Sequence, residues 1–275
     1  MNNSLNQPSA AESASANRHW WDLDAEHYHE EHKHYLTSFY WCPEMLHEQD
    51  AQLLGDAPGA VLEIGAGSAP CSAWLAQKLA AKDAPSTQAE GENDESNENF
   101  VIAFDLSMNM LKMAPDSPAI LLQADAQNMP FKDESFDTIF SVFGAIPFVA
   151  DSAALMKDVA RLLKPGGRFV FSVTHPMRWI FPDDPTEAGL TVYTSYFDRT
   201  PYTERDPFTG EFTYVEHHRT MGDRINELIG AGLVLDRLIE PEWPEDLNEN
   251  WGQWSRLRGE LFPGTAIFVA HKPAK

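Results

Sequence analysis

The stretch Val61-Leu62-Glu63-Ile64-Gly65-Ala66-Gly67-Ser68-Ala69-Pro70 constrains the fold more than any other part of the chain. Val61 to Ile64 reads as a short buried strand, and Cys71 to Ala81 reads as a helix. Strand, glycine turn and helix in that order open an α/β unit of the kind that binds a nucleotide. The glycines let backbone pass close to a ligand where a Cβ would clash. Pro70 suits the first helical turn, where a missing N–H costs nothing, and Ser68 is placed to cap that helix. The turn is not the dinucleotide pattern G-x-G-x-x-G, because its sixth position is Pro70, which weighs against an NAD(P)-dependent oxidoreductase. Taken alone, the stretch also reads as an ordinary tight strand–helix turn.

Three acids follow the same logic. Glu63 lies two residues before the first glycine, where it can face a cationic or ammonium group. Phe100 to Phe104 reads as a second strand that runs straight into Asp105, a position suited to accepting two ribose hydroxyls. Asp125 closely follows the apolar run Ala119 to Leu122 and precedes Ala126. Either aspartate alone is equally well a turn carboxylate. Ser135 to Ser141 reads as a fourth strand, Asp151 to Leu163 as the helix after it, and Arg168 to Val173 as a fifth strand behind the turn Pro165-Gly166-Gly167. Asp137 lies inside a strand pattern and reads as structural.

The ordered series E-I-G-A-G, F-D-L-S-M-N-M-L, A-D-A-Q-N-M-P-F, S-F-D-T-I-F-S and L-L-K-P-G-G-R-F-V resembles the motifs of class I S-adenosylmethionine-dependent methyltransferases. It is most similar to the small-molecule branch around the ubiquinone and menaquinone methylases, across Ala60 to Thr174 with a weaker tail to Lys275. The resemblance implies a Rossmann-like α/β fold: a seven-stranded, mostly parallel sheet with the last strand antiparallel and helices on both faces. It also implies S-adenosyl-L-methionine as cofactor. By the same resemblance Glu63 orients the methionine end, Gly65, Ala66 and Gly67 give close backbone approach, and Asp105 takes the ribose with Leu106 against an adenine face. Asp125 and Ala126 then read the adenine edge, and Ser141 offers backbone to the ammonium. Trp21, Ala25 and Tyr28 match a W-x(3–4)-A-x-x-Y pattern near the cofactor, which places Tyr28 in the set; packing of a cap helix explains the same aromatics.

Composition narrows the partners. The formal charge is −22, from 20 basic and 42 acidic residues, with no Lys/Arg run, which weighs against a nucleic-acid acceptor and for a small molecule. Two cysteines, Cys42 and Cys71, make neither a disulfide framework nor a zinc quartet, and no secretory pattern or membrane-length apolar run is seen; a cytoplasmic location is expected. His27, His29, His32 and His34 lack metal-site spacing, so no metal is expected.

Along the chain, residues 1–17 are Ser/Asn/Ala-rich and expected to be disordered, with a single domain from 18 to 275. Within it, 18–55 reads as an aromatic helical cap holding two helices, 85–99 as a flexible acidic surface insertion, and 176–216 as a lid insertion after strand five. Leu190 to Phe197 and Glu211 to Val215 suggest two added strands in the lid, with Asp206 to Gly210 as their turn. Met221 to Gly230 reads as a helix, and Leu233 to Ile239 and Thr265 to Ala270 as the closing strands. For the reaction itself, His175 directly after strand five is the candidate catalytic base, or else a loop anchor. Trp179, Tyr193 and Tyr196 are candidate acceptor-pocket residues or lid packing; His218 and Arg219 are further acceptor contacts, with surface pairing the alternative for the arginine. A non-catalytic cofactor-binding sensor or partner subunit carries the same motifs.

Overall fold

A computed structural model of the chain describes residues 7–55, 59–83 and 99–274. The chain opens with α1 (Ala10–Glu31), a single 3-10 turn at Tyr35–Thr37 and the short α2 (Glu48–Ala51). An alternating core follows: β1 (Ala60–Ile64), α3 (Pro70–Asp83), β2 (Phe100–Asp105), α4 (Met108–Lys112), β3 (Ile120–Gln123), β4 (Phe136–Val142), α5 (Ser152–Leu162) and β5 (Leu163–Thr174). The hairpin β6 (Tyr202–Arg205) and β7 (Phe212–Glu216) precedes α6 (Met221–Gly230), β8 (Val234–Ile239), α7 (Arg256–Gly259) and β9 (Thr265–His271).

Seven of the strands form one sheet in the order β3-β2-β1-β4-β5-β9-β8. All neighbours are parallel except β9, which runs antiparallel to both β5 and β8. Strand alternation sorts the side chains into two layers. Leu62, Ile64, Ile139, Phe169, Phe171 and Phe268 face Leu155, Val159 and Leu228 of α5 and α6. Val61, Val101, Phe140, Val170 and Ile267 face Leu75 and Leu79 of α3 together with Phe39, Trp41 and Leu53 of the N-terminal segment. Both faces are therefore covered, as a mostly parallel sheet requires.

The structure departs from the sequence expectations in two places. The segment 1–17 was expected to be disordered, yet the helix starts at Ala10, and Ser13, Ala16 and Asn17 are buried. Two interactions outweigh the polar composition. Ser9 and Glu12 form a reciprocal capping box that satisfies the free amides of the first turn. The Asn17 amide clasps β7, donating to Val215 O at 2.9 Å while its oxygen accepts Val215 N at 2.9 Å. In the lid, the strand expected at Leu190–Phe197 is irregular, and the partner of β7 is Tyr202–Arg205. The Asp206–Gly210 turn decides this: Asp206 N donates to Glu211 O and Gly210 N to Asp206 O, so only the residues directly before Asp206 can pair. The remaining strands, and helices α3, α5 and α6, fall within a few residues of their expected bounds. Residues 1–6 and, apart from Asn99, the acidic insertion 85–99 lie outside the described residues.

Helix α1 crosses the carboxyl ends of the strands, with Trp21 edge-on to Phe148 at 5.8 Å and Trp20 edge-on to Tyr214 at 5.3 Å. Its Asp22 also caps α4, accepting Ser107 Oγ at 2.6 Å and Asn109 N at 3.1 Å. Replacing Asn17 with alanine strands a buried amide and carbonyl on β7. We expect Asn17→Ala to lower unfolding free energy by about 2 kcal/mol in urea denaturation; an unchanged midpoint would show that the first helix is not docked.

Candidate active site

The strand order reverses at β1: the chain winds outward through β2 and β3, then returns to place β4 on the other side of β1. An open α/β sheet has a crevice at the carboxyl ends of the strands at such a point. Here it is a cleft of about 1040 Å³, open solvent at its mouth included. Glu63, Gly65, Ala66, Gly67, Asp105, Leu106, Asp125 and Ala126 all line it, so the acids that end three different strand segments converge on one space.

Two glycines make the crevice. A Cβ on Gly65 would overlap Ala145 N and come within 2.9 Å of Gly144 C; one on Gly144 would overlap the Gly65 carbonyl oxygen and lie 2.6 Å from Ile64 O. The β1 and β4 turns thus touch backbone to backbone. Gly65 is needed for this contact, whatever ligand sits above it. Gly67 lies at φ +56, with Met110 Cε 3.1 Å from its Cβ position. Ala69 takes φ +54, a left-handed conformation that glycine adopts freely and alanine does not.

The carboxylates are held by the turns themselves. Asp105 accepts Gly67 N and Ser107 N, each at 2.8 Å, which ties the β1 and β2 turns together. Burial raises its carboxyl despite these amides, and the nearby Asp22 pushes the same way. Asp125 accepts Gln127 N at 2.8 Å in a tight turn that exposes the Ala126 and Gln127 backbone to the cleft. Glu63 is 2% exposed. One of its oxygens accepts Ser72 N at 3.1 Å and, by a short contact, Ser72 Oγ, so Glu63 rather than Ser68 takes this free amide in the first turn of α3. Its other oxygen has no hydrogen bond among the described residues. Burial pushes the Glu63 carboxyl up to about 8, against the opposing bonds from Ser72.

Aromatic side chains close the far end of the cleft. Trp21 and Tyr28 come from α1, Tyr35 and Tyr40 from the segment after it, and Phe143 and Phe148 from the β4–α5 connection. Tyr28 stands edge-on to Trp21 at 5.5 Å, and Tyr35 lies over Tyr40 at 6.4 Å and edge-on to Trp251 at 4.8 Å. Burial raises both the Tyr28 and Tyr35 hydroxyls, so their protons stay on. The sequence showed the aromatic density of this region, not which rings turn inward. Phe143 carries no sequence signal: it takes φ +49 directly after β4, and that turn aims it into the cleft.

Several expected site residues lie elsewhere. Ser141 does not line the cleft; its hydroxyl donates to Ile64 O at 2.7 Å, and Val142 to Ala145 form the wall there instead. His175, the expected base, is outside the cleft with both ring nitrogens engaged: Nδ1 accepts Met177 N at 3.1 Å and Nε2 meets Glu240 Oε1 at 2.8 Å. It caps the 3-10 turn Pro176–Ile180, and burial lowers its basicity. Trp179, Tyr196, His218 and Arg219 come together as a brace for the lid. The Tyr196 hydroxyl accepts Met221 N and its carbonyl accepts His218 Nε2; Trp179 packs on His218 at 5.6 Å. Arg219 donates to Ala150 O, His218 O and Glu227, one bond from each of its three nitrogens. Tyr193 is 67% exposed on the outside of the lid. These positions follow strand five in sequence, as acceptor residues do, but the lid folds over α6 and carries them off. Among the described residues no three His, Cys, Asp or Glu side chains gather at metal-binding distance.

Comparison with known proteins agrees with this geometry. A family of methyltransferase domains matches residues 91–171. Demethylmenaquinone methyltransferase from Mycobacterium sp. (strain KMS) is 33% identical over 229 residues, covering 81% of this chain and 80% of that protein. The chain belongs to the class I S-adenosylmethionine-dependent methyltransferases. The demethylmenaquinone methyltransferase of Corynebacterium kroppenstedtii is 35% identical over 101 residues, a match that spans only 40% of its length. In fold, the chain is similar to an S-adenosylmethionine-dependent methyltransferase from Mesorhizobium loti (TM-score 0.58, 24% identity, covering 82% of this chain and 97% of that one). A second fold neighbour, from Listeria monocytogenes, has TM-score 0.60 at 22% identity, covering 82% of this chain and 95% of that one.

Three expectations follow for the methyltransferase itself. Ala69→Gly relieves the left-handed alanine and should raise stability by about 1 kcal/mol in denaturant titration. Gly144→Ala should instead unfold or badly destabilise the protein. Glu63 gives a pH signature. Its folded carboxyl titrates near 8 against 4.5 in the ordinary state, so between these values the native state holds a proton that the unfolded state has released. Stability should therefore fall as pH rises through this window and level off above it. Glu63→Gln should flatten that slope, measured as midpoint against pH.

Proposed function

We propose that this protein transfers a methyl group from S-adenosyl-L-methionine to a small-molecule acceptor. The observation that carries the reading is the convergence of Glu63, Asp105 and Asp125 on one cleft at the reversal point of the sheet. The residues present fit the cofactor. Asp105 is fixed by two amides, one on each oxygen, and lines the cleft, which leaves each oxygen able to accept a ribose hydroxyl. The free oxygen of buried Glu63 suits a cationic ammonium or sulfonium. Leu106 and the Ala126 backbone border the space an adenine ring would take, and Gly65 to Gly67 leave room for close backbone approach. Tyr28 stands on the α1 side of the same space.

The cofactor, when bound, supplies an electrophilic methyl group on sulfur; the chain's contribution is positional. Trp21, Tyr28, Tyr35, Tyr40, Phe143 and Phe148 surround the acceptor end and exclude water from it. No histidine, lysine or arginine is among the described residues lining the cleft, and the buried tyrosine hydroxyls are donors rather than bases. Holding the acceptor's nucleophile in line with the methyl group supplies the rate enhancement. A net charge of −22 and a lining without cations favour a small acceptor over a nucleic acid. Two buried free cysteines and no membrane-length apolar helix among the described residues suit a cytoplasmic enzyme.

Calorimetric titration with S-adenosylmethionine, S-adenosylhomocysteine and NAD tests the reading. We expect the first two to bind, NAD not to bind, and Asp105→Ala to weaken binding at least about a hundredfold, the loss of two charge-assisted hydrogen bonds. Binding of NAD instead would overturn it. Because a cation beside Glu63 pulls its proton off, S-adenosylmethionine binding near pH 7 should release close to one proton, read from titrations in buffers of different ionisation heat, and Glu63→Gln should abolish the release.

A further inference from the structure

Among the described residues, a cluster of buried polar groups without partners lies one aromatic layer behind the cleft. Arg178, on the 3-10 turn after β5, and Arg258, on α7, are 1% and 0% exposed. Arg178 Nε reaches Gln253 Oε1 at 3.2 Å, while its Nη1 and Nη2 have no partner. Arg258 Nη1 donates to Pro182 O and Asp184 O at 2.8 and 2.7 Å, while its Nε and Nη2 have none. The two guanidiniums share one ring, lying 5.6 and 5.4 Å from the Phe262 centroid, and Arg178 also lies 5.1 Å from that of Trp254. Trp254 Nε1 is a further buried donor without a partner. Glu44 Oε1 is likewise unpartnered, beside Trp254 Nε1: a Cβ on Gly264 would lie 2.5 Å from the first and 2.6 Å from the second. No carboxylate forms an ion pair with either arginine among the described residues; Glu44, Asp183 and Asp184 are the acids whose charges reach them.

Packing does not require this arrangement. A neutral side chain of similar volume fills such a space without desolvating a charge, and an unpartnered buried cation is strongly destabilising. Here two cations sit together. Burial and the neighbouring Arg258 bring the Arg178 guanidinium down to about 9. The missing component is a group rich in acceptor oxygens and negative charge. A guanidinium fork matches carboxylate and phosphate geometry.

We propose that Arg178 and Arg258, with the Trp254 N–H, form a second ligand site that takes an oxyanion group, a carboxylate or a phosphate. Trp254 also packs edge-on against Phe143 at 5.6 Å, and Phe143 lines the cleft, so the anion lies directly behind the acceptor end. Its source is either an acidic arm of the methyl acceptor or a free oxyanion. The unpaired donors are sealed from solvent, so the segment 181–190 over Arg258 must shift to admit the ligand, and association is slow.

The test is calorimetric titration of the full chain with inorganic phosphate and with acetate, ionic strength held constant with chloride. Saturable binding of at least one anion is expected, weakened about tenfold or more by Arg178→Gln or Arg258→Gln and several-fold by Trp254→Phe, which removes the donor and keeps an aromatic ring. Retained S-adenosylhomocysteine binding certifies that each variant is folded and reports separately on the cofactor reading. Where an arginine variant fails that check, Trp254→Phe decides. Methyl transfer from labelled cofactor into a metabolite extract separates the sources: labelled product retained on an anion exchanger assigns the anion to the acceptor, and unretained product assigns it to a free oxyanion. No binding by either anion, or binding indifferent to the folded variants, overturns the site.

Discussion

Backbone contact between Gly65 and the Gly144–Ala145 turn is the constraint on which the rest of the structure depends. It fixes the distance between β1 and β4 at the point where the strand order reverses, and so sets the floor of the cleft. Everything above that floor is hung from turns rather than from side-chain packing. Asp105 binds the Gly67 amide across from β2, and Glu63 binds the Ser72 amide of α3. Two carboxylates that line the cleft thus also hold the loops that shape it. Burial raises the carboxyls of both.

The core was legible because its signals are local and periodic. Strand β1, the glycine turn and Pro70 can be read from ten consecutive residues, and Asp105 and Asp125 from their places at the ends of apolar runs. Alternation along β1, β4, β5 and β9 sorts two hydrophobic layers without knowledge of the tertiary fold. The first turns of the N-terminal helix, before Arg18, were missed for a different reason. They are small and polar, and their order comes from Asn17 on a strand some two hundred residues away in sequence, a partner that no local pattern reveals. The Ser9–Glu12 capping box was the one local sign.

The acceptor side was legible only in composition. Aromatic density marked both the N-terminal cap and the lid, and the lid seemed the natural wall because it follows β5. In the structure the N-terminal rings Tyr28, Tyr35 and Tyr40 face the cleft, while Tyr196 and His218 brace α6. His175 looked like a base by position, but a histidine that caps one turn and meets Glu240 has no nitrogen left for chemistry. Sequence order gives the neighbourhood of a loop residue; which way its side chain points depends on packing partners remote in the chain.

Ser107 lies where two parts of the protein meet. Its amide holds Asp105, and its hydroxyl holds Asp22 of α1. The roof over the cleft is thereby fastened to the same turn that presents Asp105. Drawing the helix away from the cleft would break the Ser107–Asp22 bond, and so would act on the turn that holds Asp105. Ser107 therefore ties the position of the helix to the position of that carboxylate.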